Sequence, residues 1–539
     1  MRNTFLSVLL GLAISCVWAG QAGAYPQREF VANISSSLPD WRPHRAINAD
    51  EAQILTAVYE GLFVYDPYTM DPILALAQSW KVSEDRLTWT FTLREGASFS
   101  DGSPITSKEI VDSWFNLLDP SIVAPYASLL DCIAGAADYR SGKNNKRASV
   151  GISTPHKGSI VVTLTSPTEH LPKILCHHAF SAVHPSNLGQ AAGKDQETGF
   201  IPISSGPFVI QSVTKDEIRL TPNSHYWDKD QVSLPSIKIL ISDDAANLTY
   251  RFNLGEIHWL AGSSQIERIL SPSSVQITPM FSTEYFFFRT TWGPWADSRV
   301  RNALLRAVPW AELRASYIIP ASTLVYPISG YPKLDGITAY NSAEAKTMLA
   351  EAGITNPSSL PPIVIRIPKA DPFEKLAKIL ETAWTDLGFV VQLESIPFSL
   401  YNDRLKEDTY TIAITSWIGD FADPLSFLEM FRKGSTLNDS GWHNSEYENM
   451  ILESSSDSNG QDRYELLSRA EKLLLDEGVI LPVAHNPALN VIASDELEGW
   501  YANVLDIHPF KFIRFIPRKP LPGVVYSPSR VIPTAWAGL

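Results

Sequence analysis

The chain has 539 residues, with 44 Lys+Arg against 58 Asp+Glu, a formal charge of -14, and 19% charged residues beside 45% hydrophobic ones. That balance excludes an intrinsically unfolded chain, and at roughly 100–200 residues per domain the length excludes a single small one. The acidic excess, with no long basic run to offset it, excludes nucleic acid and anionic lipid as main partners, because either phosphate surface would repel it.

At the start, Arg2 is the only charge before the apolar run Phe5 to Trp18, which leads into Ala22-Gly23-Ala24. A short apolar core closed by a small-x-small site reads as an export signal over residues 1–24. Cys16, in Leu12-Ala13-Ile14-Ser15-Cys16, loosely resembles a bacterial lipobox. A lipid anchor at Cys16 is therefore the alternative to cleavage after Ala24, and the two exclude each other. Cys132 and Cys176 then remain; export would permit them to pair, and their positions do not say whether they meet.

Further along, Leu87 to Leu93 alternates with period two, which puts Leu87, Trp89, Phe91 and Leu93 on one buried face of a strand. Thr106-Ser107-Lys108-Glu109 is a capping box opening a helix to about Leu118, which Asp119-Pro120 stops. Asn341 caps a helix to Ala352 with Gly353 as its stop, and Pro372 to Leu387, ended by Gly388, is another. Strands are predicted at Phe389–Ile396 and Tyr410–Ser416, with a short helical segment between them, and residues 443–477 read as two helices. This alternation implies an α/β lobe with right-handed crossovers. From Pro517 to Leu539 the chain is proline-rich without helical period and reads as a tail.

Catalytic signatures are missing: there is no G-x-S-x-G, H-E-x-x-H, G-x-x-x-x-G-K-[ST] or G-x-G-x-x-G. Cys176-His177-His178 with His184 is the nearest approach to a metal cluster. Neighbouring side chains on a strand point to opposite faces, so these read as packing or surface histidines. Asp243-Asp244 follows the apolar strand Ile237–Ile241 and reads as a helix N-cap rather than a carboxylate dyad. Neither a cofactor nor a metal is expected.

Three stretches carry more. Trp80-Lys81-Val82-Ser83-Glu84-Asp85, continuing through Leu87–Gly96 to Phe99-Ser100-Asp101-Gly102-Ser103-Pro104-Ile105-Thr106, is similar to the signature of the solute-binding proteins that serve peptide-importing ABC transporters. Ser205-Gly206-Pro207-Phe208, Asn223-Ser224-His225-Tyr226-Trp227 and Leu254-Gly255-Glu256-Ile257 resemble that family's middle region in order and spacing. Trp417-Ile418-Gly419-Asp420-Phe421-Ala422-Asp423-Pro424 onward to Leu428 resembles its ligand-gripping segment, and Pro125-Tyr126-Ala127-Ser128 fits the oligopeptide branch. The resemblance runs from about Pro43 to about Pro482.

That resemblance implies an α/β fold: a three-lobed periplasmic-binding-protein (Venus-flytrap) clamp, type II-like, with a discontinuous lobe I. Its expected segments are 25–50, 196–280 and 488–516 for lobe I, 51–195 for lobe II and 281–487 for lobe III, with 517–539 the tail. It also implies an exported, monomeric receptor, periplasmic or in the cell envelope. Such a receptor takes short peptides and hands them to an inner-membrane ABC permease, with no covalent chemistry. The peptide would lie extended between Ile47-Asn48-Ala49 and Thr415-Ser416-Trp417, with Asp420 pairing its α-ammonium and Trp417 and Tyr126 beside it. On residue type alone, Asp420 reads as a loop-capping acid at a strand end, and it is the surrounding family match that turns it toward the ligand; Trp417 on residue type alone reads as a core aromatic.

The resemblance breaks where relatives place basic residues for the ligand's carboxylate: Ile414 and Phe373 stand there, and Arg404 is one residue out of register. Rival readings are the same fold holding a dipeptide, metal chelate, haem or other non-peptide ligand, and a secreted hydrolase.

Overall fold

The computed structural model describes residues 28–122, 124–188, 201–262, 264–456 and 460–517. The signal segment with Cys16, and all but the first residue of the tail, lie outside them.

Three sheets organise these residues. The first has seven strands, in the order Val275–Thr278, Ala488–Ile492, Trp259–Ala261, Phe30–Ser35, Ile237–Ile241, Glu217–Pro222, Phe208–Val213. Its central strand Phe30–Ser35 is buried throughout and runs parallel to both neighbours, Phe30 opposite Ile237 and Ala32 opposite Trp259. Asn33, a polar residue in that buried strand, keeps its amide satisfied by donating to the carbonyls of Leu240 (2.9 Å) and Ser242 (3.0 Å). The second sheet is antiparallel, in the order Ala77–Val82, Thr88–Leu93, Ser159–Thr163, Ile152–His156. The third has the order Val391–Ile396, Ile363–Pro368, Ile412–Ile418, Ser282–Phe288, Ile480–Ala484.

The chain crosses between the first and third sheets twice, between Thr278 and Ser282 and between Ala484 and Ala488. Thr278 pairs with Ala488 on one side of the crossing and Glu284 with Ala484 on the other. The two connections therefore run side by side, the geometry of a two-stranded hinge.

Local chemistry explains the elements. Trp89, Phe91 and Leu93 are buried while the intervening threonines are not. Thr106 and Glu109 close their capping box at the head of helix Ser107–Leu117. The Asn341 side chain accepts from the Glu344 amide to start Ser342–Glu351, and Asp244 accepts from the Asn247 amide to start Ala245–Asn253. Gly353 and Gly388 hold the positive φ values, +85° and +96°, with which their helices stop. Two strands differ from expectation. One is Val391–Ile396, two residues shorter; the other is Ile412–Ile418, two residues later than 410–416. The second shift has a cause: the ladder to Ser282–Phe288 begins at Phe288 opposite Ile412. Tyr410 is buried outside the ladder, its hydroxyl on the Leu405 carbonyl and the Arg366 guanidinium over its ring. Cys132 and Cys176 are free thiols. Among the described residues no helix is long and apolar enough to cross a membrane.

Candidate functional site

Strand Ile412–Ile418 is paired along its whole length with Ser282–Phe288 on one edge. On the other edge, Ile363–Pro368 reaches only Ile412 and Ala413. Past that point the edge of Thr415-Ser416-Trp417 is open, and it faces a cavity of about 440 Å³. The cavity is lined by all eight residues singled out above: Ile47, Asn48, Ala49, Tyr126, Thr415, Ser416, Trp417 and Asp420. They come from three separated stretches of chain.

Asp420 lies just past the end of that strand. Gly419 permits the turn because a Cβ there would sit 2.5 Å from Ser426 Oγ and 2.6 Å from the Phe281 ring. The Asp420 carboxylate is buried. Its Oδ2 has no hydrogen-bond partner among the described residues, and its Oδ1 lies 3.8 Å from His177 Nε2. That contact is no ion pair. Burial, and the neighbouring His178, hold His177 well below the usual imidazole range, while burial pushes the Asp420 carboxyl well above the usual carboxylate range. The loop-capping role falls instead to Asp423. Its Oδ1 accepts from the Leu425 amide at 2.9 Å, and both oxygens take the Arg463 guanidinium at 2.8 and 2.9 Å. Although burial opposes it, the arginine keeps Asp423 below its ordinary value. Two acids three residues apart thus have opposite environments, and only Asp420 lacks a countercharge.

The other wall is less open than the strand edge. Asn48 caps helix Ala49–Val58, and the Glu51 carboxylate accepts from the amides of Ile47 (3.3 Å) and Asn48 (3.1 Å). These two donors are committed, which leaves the Ile47 carbonyl, in long contact with the Tyr126 hydroxyl at 3.5 Å, and the first helical amide at Ala49. Tyr126 is buried, with its ring 4.2 Å from that of His177 and 6.3 Å from that of Trp417. Trp417 is half-buried and donates to the Ser426 carbonyl at 3.2 Å, so it is a cavity wall fixed by its own loop.

Contacts across the cleft hold its walls together. The Tyr65 hydroxyl donates to the Asp420 carbonyl at 2.9 Å, Ser128 Oγ meets Thr436 Oγ1 at 3.0 Å, and Arg140 donates to the Gly434 carbonyl at 2.5 Å. The positions at which a basic residue is missing are structural here. Ile414 is buried, with its carbonyl taken by the Tyr401 hydroxyl; Phe373 is half-buried on its helix; Arg404 pairs with Glu407.

Sequence reading passed over Tyr65 and took His177 and His178 for packing or surface residues, yet all three line the cavity. The adjacent histidines in an apolar setting, Leu175-Cys176-His177-His178-Ala179-Phe180, were the available signal; Tyr65 had none. His184 is apart from them, where it accepts from the Ser186 amide.

Comparison with known proteins supplies the context. The model of the bacterial extracellular solute-binding proteins, family 5, matches residues 71–439. The chain belongs to that family. Similar proteins include a dipeptide-binding protein, DppE of Bacillus subtilis, 28% identical over 494 residues and covering 86% of this chain and 89% of its own length. The periplasmic oligopeptide-binding protein OppA of Salmonella typhimurium is 28% identical over 477 residues, covering 85% and 87%. Among solved structures, the murein tripeptide binding protein MppA of Escherichia coli superposes with a TM-score of 0.81 at 24% identity, covering 92% of this chain and 99% of that one. The unliganded open form of MppA gives 0.62. The family's α/β clamp fold is therefore present, and with Tyr65 and Ser128 bonded across the cleft its lobes do not sit as in that open form.

Proposed function

We propose that this chain is an exported receptor that captures short peptides between closing lobes and delivers them to an inner-membrane ABC importer. One observation carries the reading: a buried, unpaired carboxylate stands at the end of an open strand edge, inside a cleft that three parts of the chain close. An extended peptide answers both features, its α-ammonium meeting Asp420 and its backbone adding a strand to Thr415–Trp417. The Ile47 carbonyl and Ala49 amide face it from the other wall, beside Asn48, and Tyr126 and Trp417 form the sides. The seven-stranded sheet is lobe I, the four-stranded sheet lobe II and the five-stranded sheet lobe III. Ligand contacts made by both walls exist only when the cleft is closed, so binding shifts the population toward closure.

The receptor works as a monomer in the periplasm or cell envelope, without cofactor or covalent chemistry. The test is native mass spectrometry of gently purified protein. A heterogeneous set of peptide masses is expected. A single non-peptide mass, or turnover of labelled peptides, would overturn the reading.

A further inference from the structure

Outside the cleft cavity, a separate set of contacts joins lobes II and III. Residues 125–140 lie between strands Thr88–Leu93 and Ile152–His156 of the four-stranded sheet, and residues 432–440 between strands Ile412–Ile418 and Ile480–Ala484 of the five-stranded one. Within lobe II the Asp131 carboxylate takes the Arg140 guanidinium on both oxygens, at 2.7 and 2.5 Å. That pair leaves Arg140 Nη2 reaching to the other lobe, where it donates to the Gly434 carbonyl at 2.5 Å. Beside it, Ser128 Oγ accepts from the Thr436 amide at 3.4 Å and lies 3.0 Å from Thr436 Oγ1, which in turn donates to the Pro125 carbonyl. None of these residues lines the cleft cavity.

Each half is braced within its own lobe. On the lobe III side, Asn438 Oδ1 accepts from the Ser440 hydroxyl at 2.7 Å and the Gly441 amide at 3.1 Å, its Nδ2 donates to the Trp442 carbonyl at 2.9 Å, and the Lys433 amide donates to the Glu448 carboxylate. On the lobe II side, the two-point grip of Asp131 fixes the planar fork of Arg140. None of these bonds depends on closure. Bringing the halves together therefore orders little that is not already ordered, and the entropy that usually offsets such bonds is small. No ligand takes part in them, in contrast to the Asp420 site. We propose that residues 432–440 form a ligand-independent latch that grips residues 125–140 and biases the empty clamp toward closure. The proposal rests on the reading of the chain as a closing receptor, and not on its ligand being a peptide. An apparent Kd is the intrinsic one divided by the closed fraction, so the latch multiplies the affinity for every ligand by one common factor. Affinity supplied in this way requires no reading of ligand side chains, which suits a receptor tolerant of sequence.

Two measurements on the whole protein test this: small-angle X-ray scattering of the ligand-free form, and calorimetric titration with tri-alanine and tri-lysine. The variants are Arg140→Met and the double change Ser128→Ala with Thr436→Val. Each should lower the closed-to-open ratio about fivefold or more. Where the empty wild type is mostly closed, this reads as a larger radius of gyration; where it is mostly open, as a Kd raised by about that factor, equally for both peptides. The double variant leaves the Asp131 pair with Arg140 intact, so it decides the matter if Arg140→Met fails to fold. Unchanged scattering with no change in any measured Kd overturns the latch. A Kd raised for one peptide and not the other places these residues on the ligand and overturns it as well. If neither peptide binds while the variants still expand the empty protein, the latch stands and the peptide reading falls.

Discussion

Replacing Asp420 by Asn keeps the shape of the side chain and removes the group that can ionise to meet a cation in the cleft. The bound state should then hold an α-ammonium without its anion, and breaking a buried pair by removing one partner costs about 3–5 kcal/mol. Part of the wild-type gain goes into ionising a carboxyl that burial holds well above its ordinary value, so the lower end applies: about 3 kcal/mol, or about a hundredfold in Kd. Calorimetry with tri-alanine and N-acetyl-tri-alanine separates the pair from other effects. Acetylation should weaken the wild type about as much as Asp420→Asn does, and should add little in the variant, because the two changes remove the same interaction.

A proton follows the same logic. Burial favours the protonated form of the ligand-free carboxyl, whereas meeting an ammonium favours the ionised form, so binding draws a proton off it. The wild-type binding enthalpy should therefore vary with the ionisation enthalpy of the buffer, and that of the Asn variant should not. Without ligand the sign reverses. A carboxyl whose folded pKa is raised contributes stability below its unfolded pKa and loses it as pH rises, so Asp420→Asn should melt higher than wild type at neutral pH when empty. An acetylated peptide binding as tightly as the free one, or an Asn variant with unchanged affinity, would refute the assignment.

Two further outcomes follow from buried groups. Tyr65→Phe deletes a hydroxyl that donates to the Asp420 carbonyl across the cleft; leaving that buried acceptor unpaired costs about 1–3 kcal/mol of closure. Calorimetry should read this as a loss of affinity of about fivefold or more for every peptide alike, and a change confined to one peptide would contradict it. Glu471 is pushed up to about 7 by burial, against the amides of Leu324 and Val325 and the Tyr331 hydroxyl, which favour its charged form. Its folded value exceeds the unfolded one of 4.5, so its contribution is full below about pH 4.5 and is lost as pH rises through 7, by about 3 kcal/mol. Urea unfolding at pH 5 and pH 8 should show a smaller fall in Glu471→Gln than in the wild type, and equal falls would refute the shift.

What the sequence disclosed follows the range of the forces involved. The capping box at Thr106 and Glu109, the cap at Asn341 and the alternation from Trp89 to Leu93 depend on neighbours within a turn or a strand, and they stand as read. The start of Ile412–Ile418 depends on Phe288, more than a hundred residues away, and was misplaced by two. Asp420 was legible only through family resemblance. By residue type it was indistinguishable from Asp423, and the distinction between them is made by Arg463 and His177, which no local pattern brings near. Tyr65 joins the site only through its contact with the Asp420 carbonyl, 355 residues away along the chain.

The two features of the site constrain each other. An open strand edge by itself accepts any extended backbone, including that of a second protein chain, which is why exposed edges are hazards. A buried carboxylate by itself accepts any cation. Here the edge ends at the carboxyl group and both lie within one cleft, so the proposed site would select a ligand that presents a cation and, directly after it, an extended run of amides. An acidic ligand would bring negative charge against Asp420, and a long internal segment of a protein would bring no ammonium at all. The free amino terminus of a short peptide would satisfy both demands, and that conjunction, more than either feature alone, is what supports the proposed ligand class.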